Sequence, residues 1–241
     1  IRTGLSRMQS AHSPNSILVS ASPQLLDEEL YLVGRLARAA LGTNNLTSFQ
    51  RLISDADYNA LDRVLGCTAA TVTMNDIAKA DLFLFLGGNP TSDNPVLGWQ
   101  MKRRMRQGTR GIVINSAQID LTQYAEVWAD ARRGTSALLL TGIVAEIIRT
   151  KRVNQQFVNE HVSGTDRFAG AIANIDLHEV SSVTGVSQEK IKQIAQLVSD
   201  PSLKTVAWYN IDSRADRSPN DLKALVELLL LVGKIGVNGN G

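Results

Sequence analysis

Cysteine is almost missing from this chain: Cys67 is the only one in 241 residues. That excludes an internal disulfide framework, and it excludes any all-cysteine metal or iron–sulfur site built from this chain alone. A reduced, cytoplasmic setting is expected. Histidine is sparse as well. His12, His161 and His178 lie far apart, with no i, i+4 pair and no metal-ligand spacing. Charge of one sign is lacking: 25 Lys and Arg stand against 23 Asp and Glu, so nothing draws the chain strongly to nucleic acid or an anionic membrane. The longest apolar runs, 137–148 and 222–232, are too short to span a bilayer and suit buried helices. Neither an initiator methionine nor a signal-peptide pattern is present, and the chain is expected to be a piece of something longer.

What the chain does have is organised around Asp81-Leu-Phe-Leu-Phe-Leu-Gly-Gly-Asn-Pro90. A continuous apolar run bounded by turn residues predicts a strand buried on both faces, as in a parallel sheet. A helix over 96–107 follows at once. Glycines between such a strand and a helix sit where open α/β sheets hold ligands, because backbone can approach closely there and a helix N-terminus favours anions. Gly87 and Gly88 either serve that purpose or only make the turn; there is no full G-x-G-x-x-G fingerprint and no Walker loop.

Elsewhere strands and helices alternate. Residues 17–21 predict a short strand, and Ser22-Pro23 a helix start. Leu26, Leu30, Val33, Ala37 and Ala40 recur at helical spacing up to a stop at Gly42. A short helix is expected around 58–65. Strands are expected at 111–115, 127–131 and 205–209, an apolar helix from Gly134-Thr135 to Ile148, and short surface helices at 157–161, 168–173 and 177–183. Ser187 caps an amphipathic helix carrying Ile191, Ile194, Ala195 and Val198, which Asp200-Pro201 ends. A last buried helix spans 222–232. This pattern predicts an α/β fold, a Rossmann-like parallel sheet covered by helices on both faces in three αβα layers. Trp99, Trp128 and Trp208 are expected to pack in the core or against other parts of the polypeptide. The bases Lys102, Arg103, Arg104, Arg106 and Arg110 either form a solvated helix face or meet phosphates or an acidic partner subunit.

The ordered set of motifs resembles the molybdopterin oxidoreductase family: formate dehydrogenases, nitrate and dimethyl-sulfoxide reductases, and the large iron–sulfur subunit of NADH–quinone oxidoreductase (complex I). The residues that carry the likeness are Ala37-Arg-Ala-Ala-Leu-Gly-Thr-Asn-Asn45, Ile77 to Pro90 with Asn94-Pro-Val96, and Gly108-Thr-Arg-Gly-Ile-Val-Ile114. Arg133-Gly-Thr135, Phe157-Val158, Thr184-Gly-Val186 and Leu230-Leu-Val-Gly-Lys-Ile-Gly236 complete it. The resemblance implies a cofactor of two pterin–guanine dinucleotides on molybdenum or tungsten. The residues it places at that cofactor are Gly87, Gly88, Asn89, Asn94, Asn115, Gly134, Thr135 and Trp208. It also implies residues 1–45 as one edge of a first α/β domain completed outside this chain, 46–236 as the dinucleotide-binding domain, and 237–241 as a linker.

Against that pattern the sequence departs at four places. The position at which formate dehydrogenases supply the metal ligand falls on Ile53, and the neighbouring histidine position on Ser54. Isoleucine has no lone pair to offer a metal. The family's Asp-Pro-Arg is Asn115-Ser116-Ala117, its Gly-Thr-Asp is Gly134-Thr135-Ser136, and its Trp-Gly-x-Gly is Trp208-Tyr-Asn-Ile211, which puts side chains where backbone would meet the pterin. The expectation is therefore a structural domain of a complex-I-like large subunit, with no catalytic residue, no metal ligand and no cofactor of its own. Iron–sulfur clusters would lie elsewhere in the polypeptide. Its partners would be the rest of that polypeptide and other subunits of a redox complex, not nucleic acid and not a bilayer core, with peripheral attachment to a membrane only through the complex. The alternative is a fragment of an active formate dehydrogenase alpha subunit that binds bis-molybdopterin guanine dinucleotide and oxidises formate to CO2. A third is a vestigial pocket rebuilt for an ordinary nucleotide.

Overall fold

Leu82–Leu86 forms a strand whose five residues are all buried. A strand with no wet face needs a layer of helices on each side, and the chain supplies both. The structure is a computed structural model and describes residues 1–22, 25–48, 59, 61–172, 174–209 and 220–241. It divides into two compact units, Ile1–Ala56 and Asp57–Gly241.

In the first unit, α1 (Arg2–Ala11) leads to β1 (Val19–Ser20), which pairs in parallel with β2 (Leu46–Thr47). The strand expected over 17–21 is thus shorter. Between them lies α2 (Asp27–Arg35), which widens into a π-helical turn at Leu36–Ala40 before Gly42 takes a positive φ of 67°. Ser22 does not begin this helix, and Pro23 lies outside the described residues. It starts at Asp27, where the Glu29 carboxylate accepts from the Leu26 backbone N–H at 2.9 Å and three acidic residues meet the positive end of the helix dipole. The Gly42-Thr-Asn-Asn45 stretch works as a clamp. Thr43 Oγ1 donates to Ile17 O at 3.1 Å, Asn45 Nδ2 to Asn15 O at 2.7 Å, and Arg38 Nε to Asn44 Oδ1 at 2.9 Å.

The second unit holds a parallel four-stranded sheet. Its strands are β3 (Leu82–Leu86), β4 (Arg110–Ile114), β5 (Val127–Ala129) and β6 (Thr205–Tyr209), in the order β5-β4-β3-β6. Side chains alternate across it. Leu82, Leu84 and Leu86 join Ile112, Ile114, Val127 and Ala129 on one face; Phe83 and Phe85 join Val113 and Val206 on the other. Each fully buried Phe contributes about 1.5–3 kcal/mol relative to exposure.

The first face is covered by α6 (Ser136–Arg149), which packs against α9 (Leu177–Thr184), α10 (Gln188–Val198) and α11 (Asn220–Leu231). Two short helices, α7 (Gln155–His161) and α8 (Thr165–Ile172), complete this layer and bury Val158 and Ile172. The opposite face carries α5 (Pro95–Arg106), joined to β3 through α4 (Pro90–Asp93), and the six-residue α3 (Met74–Lys79). Helix α3 had no periodicity to announce it. It is fixed by Asp76, whose carboxylate accepts from Thr73 N at 2.8 Å and Thr73 Oγ1 at 2.7 Å. The fold is α/β with parallel sheets, as expected, and no helix among the described residues is long and apolar enough to cross a membrane.

The expected linker 237–241 is hydrogen-bonded at its end: Gly241 N donates to Thr205 O at 3.1 Å, Ala207 N donates to Gly241 O at 2.7 Å, and Asn240 Oδ1 accepts from Thr205 N at 2.8 Å. This ties the segment along β6. Trp128 and Trp208 lie partly buried against the cluster that holds Phe83 and Phe85, as expected of the core, while Trp99 is 57% exposed, which leaves only the other expected place for it, against other parts of the polypeptide.

Candidate cofactor-binding edge of the sheet

In a parallel sheet all the carboxyl ends lie along one edge, and a ligand crevice forms where the strand order reverses. Here the chain moves from β3 outward to β4 and β5, then returns to the other side of β3 as β6. The switch point therefore lies between β3 and β6, and the residues just past β3 and β4 stand beside it.

Gly87 and Gly88 both take left-handed backbone conformations, with φ of 69° and 61°, which a side chain would oppose. Gly87 N donates to Ile114 O at 3.0 Å, which prolongs the β3–β4 ladder by one bond. Asn115 crosses the same gap: its Nδ2 donates to Gly88 O at 2.7 Å while its Oδ1 accepts from Ala117 N at 2.9 Å. The backbone oxygen of Asn115 accepts from Trp128 Nε1 at 3.1 Å. Asn89 is equally occupied, its N–H donating to Asp93 Oδ2 at 2.7 Å and its Oδ1 accepting from Thr91 Oγ1 at 2.8 Å. Asn94 stands at the junction of α4 and α5, exposed, and caps α5 with its backbone oxygen, which accepts from Gly98 N at 2.8 Å.

Past β5, Gly134 takes a φ of 74° and Thr135 closes the turn into α6, its hydroxyl donating to Arg132 O at 2.7 Å. An open depression of about 440 Å³ lies here, lined by Ser116, Asp130, Ala131, Arg132, Arg133 and Gly185. Arg132 is bound to the carboxyl end of α9, its Nη1 donating to Ser182 O at 2.7 Å and Val183 O at 3.1 Å. A cation suits that end of a helix dipole. On β6, Trp208 lies level with Phe85, and its buried indole N–H has no hydrogen-bond partner among the described residues.

The structure thus joins Gly88 to Asn115 by a hydrogen bond, keeps Gly87 and Asn89 in the same turn, and sets Trp208 one strand away. Gly134 and Thr135 belong to the β5 end, and Asn94 to neither. Asp130, Arg132 and Gly185 were not foreseen. The Thr184-Gly-Val186 motif was their one sequence signal, since Arg132 N donates to Thr184 O at 2.8 Å and Gly185 leaves room for the Arg132 side chain. Ile53, Ser54, Asn210 and Ile211 lie outside the described residues.

A pterin–guanine dinucleotide needs outward-facing donors and acceptors at this edge. The Asn115 Nδ2 and Oδ1, the Asn89 N–H and the Asn89 Oδ1 already bond within the protein, and a ligand would have to displace those bonds. Among the described residues the indole N–H of Trp208 is a buried donor left open. As bonded here, Asn115 does not offer its amide to the group the resemblance implies, and no chemical step is derived through that group.

A family profile described as molybdopterin oxidoreductase matches residues 1–241. Among curated proteins the chain is 26% identical over 242 residues to "Probable oxidoreductase YjgC" of Bacillus subtilis, covering all of this chain and 25% of that protein. It is 23% identical over 233 residues to formate dehydrogenase H of Escherichia coli K12, covering 96% of this chain and 33% of that protein. Acetylene hydratase from Pelobacter acetylenicus superposes with a TM-score of 0.78 at 21% identity, over 98% of this chain and 32% of that one, a likeness of fold. The chain spans about a quarter to a third of the length of the curated relatives it matches. A profile matched from the first residue to the last, on a parallel sheet whose glycine turn stands at its switch point, makes this chain a member of the molybdopterin oxidoreductase family.

Proposed function

We propose that this chain is a structural domain of a large iron–sulfur subunit in an NADH-linked electron-transfer complex, a molybdopterin-oxidoreductase fold that has given up the metal. Its work is to hold its own polypeptide and neighbouring subunits in place while clusters elsewhere in the polypeptide carry electrons. The observation that carries this reading is the inward closure of the sheet edge. Asn115, standing where the family's acidic residue reads the nucleotide, instead ties Gly88 to Ala117. Isoleucine at position 53 agrees with it. Residence on the cytoplasmic side, peripheral to a membrane through the complex, belongs to the same proposal.

Metal and pterin analysis of the purified full-length protein tests it. Molybdenum, tungsten and pterin each below a tenth of the protein concentration is the expected result. Stoichiometric metal would overturn it in favour of the second reading, an active formate dehydrogenase alpha subunit. That reading is favoured by the open Trp208 indole N–H and by the formate dehydrogenases among the relatives.

A further inference from the structure

Helix α5 is amphipathic in an unusual way. Gly98, Met101 and Met105 face inward and are buried. The opposite stripe, at three- to four-residue spacing, is Val96, Trp99, Gln100, Arg103 and Arg106, all exposed. Val96 is 69% exposed and Trp99 57%. Together with Lys102 these side chains line a shallow groove of about 420 Å³ that contains no carboxylate.

Trp99 is held rather than loose. Lys102 Nζ lies 4.7 Å from its ring centroid and 5.8 Å from that of Tyr124, and is itself paired with Asp120 at 3.1 Å. The cation sits over one face of the indole, and the side chain is otherwise largely open to solvent. Lys102 is thereby neutralised. Arg103 and Arg106 are not: among the described residues neither forms an ion pair or a side-chain hydrogen bond.

We infer that this stripe of α5 is a docking surface for an acidic segment of a partner protein, one that carries an apolar side chain among its carboxylates. Tryptophan and arginine together dominate binding energy at protein interfaces, and a guanidinium pairs with a carboxylate through two parallel bonds. Trp99 and Val96 supply the apolar floor, and Arg103 and Arg106 the charges that only an acidic partner would complement. Two free cations and one aromatic ring make too short a footprint for a nucleic-acid backbone, whose binding rests on many phosphate contacts. Two exposed apolar residues likewise fall short of the broad apolar face with which a helix lies in a membrane surface. The inference is independent of whether the sheet edge carries a cofactor.

The test uses the full-length protein in its native host, with Trp99→p-benzoylphenylalanine for photo-crosslinking and mass-spectrometric mapping of the adduct. The expected adduct is a segment of another polypeptide with at least two carboxylates beside the crosslinked residue; a crosslink within the protein's own polypeptide would overturn the inference. Arg103→Glu with Arg106→Glu should lower co-purification of that protein at least tenfold, and matching Glu→Arg reversals in the mapped segment should restore it. Arg103→Lys with Arg106→Lys should stay within threefold, which separates loss of docking from loss of folding. No crosslink, a crosslink to nucleic acid, to lipid or to a segment without carboxylates, or retention unchanged by the charge reversal would each overturn the inference.

Discussion

The side-chain amide of Asn115 donates to the carbonyl oxygen of Gly88 across 2.7 Å, joining the turn after β4 to the glycine turn after β3. Its oxygen accepts from Ala117 N at 2.9 Å, so one side chain fixes two loops. Asn115→Ala should cost about 1–3 kcal/mol, since it removes both bonds and leaves the half-buried Gly88 carbonyl behind. Asn115→Asp keeps the acceptor but turns a carboxylate oxygen toward the Gly88 carbonyl, and should cost no less at neutral pH. Urea unfolding of the three proteins, followed by circular dichroism, checks the order. A midpoint for Asn115→Ala equal to the parent's would show that the bridge does not hold the edge.

Gly98 sits where α5 crosses the turn at Pro90. A Cβ there would lie 2.3 Å from both the backbone carbon and the oxygen of Pro90, with no flexible side chain to yield. Gly98→Ala should therefore destabilise the protein by about 1–3 kcal/mol or more, despite alanine's better helix propensity. Gly4, in α1, has nothing within 4 Å of a built Cβ, and Gly4→Ala should be neutral or stabilise by up to about 1 kcal/mol. Thermal melts of the two variants should move in opposite directions.

These two residues also mark where the sequence is legible and where it is not. The run Leu82 to Leu86 announces a strand buried on both sides because no wet face would tolerate five consecutive apolar residues. The neighbour of that strand is hidden: β6 lies more than a hundred residues later and reaches β3 only because α6 and α11 pack over one face. Asn115 reads, from sequence, as a carboxylate lost. Only the geometry shows that its amide has gained a second use, which a carboxylate could not perform. The start of α2 was misplaced for a local reason, because Ser22-Pro23 has the chemistry of a helix entry while the Glu29 carboxylate caps four residues further on. Residues with long-range partners, such as Arg132 against the end of α9, carry no local signal at all.

The resemblance puts the family's metal-ligand position on Ile53, and Ile53→Cys would return a thiolate there. Formate oxidation should nevertheless stay undetectable in the full-length variant, because the edge at Asn115 and Asn89 is still bonded to itself. Formate-dependent dye reduction by the purified variant, alongside its molybdenum and tungsten content, is the measurement. Turnover above the parent's background would refute the scaffold reading at once.

Lys234 is buried, 4% exposed, and its Nζ donates to the carbonyls of Asp200 (2.9 Å) and Leu203, so that it closes the turn that feeds β6. Burial lowers its pKa from the ordinary lysine value, with Asp200 and Asp81 opposing the shift. The folded protein thus releases this proton at a lower pH than the unfolded chain does. Between the two values the unfolded chain holds more protons, and stability contributed through Lys234 rises with pH toward the free-lysine value of about 10.4. Lys234→Met should cost about 1–3 kcal/mol at neutral pH by stranding two carbonyls, and the variant should also lack the alkaline rise. Unfolding midpoints of both proteins from pH 7 to 10 should therefore diverge as pH increases, the parent gaining on the variant. Parallel curves would mean that Lys234 titrates alike in the folded and unfolded chains.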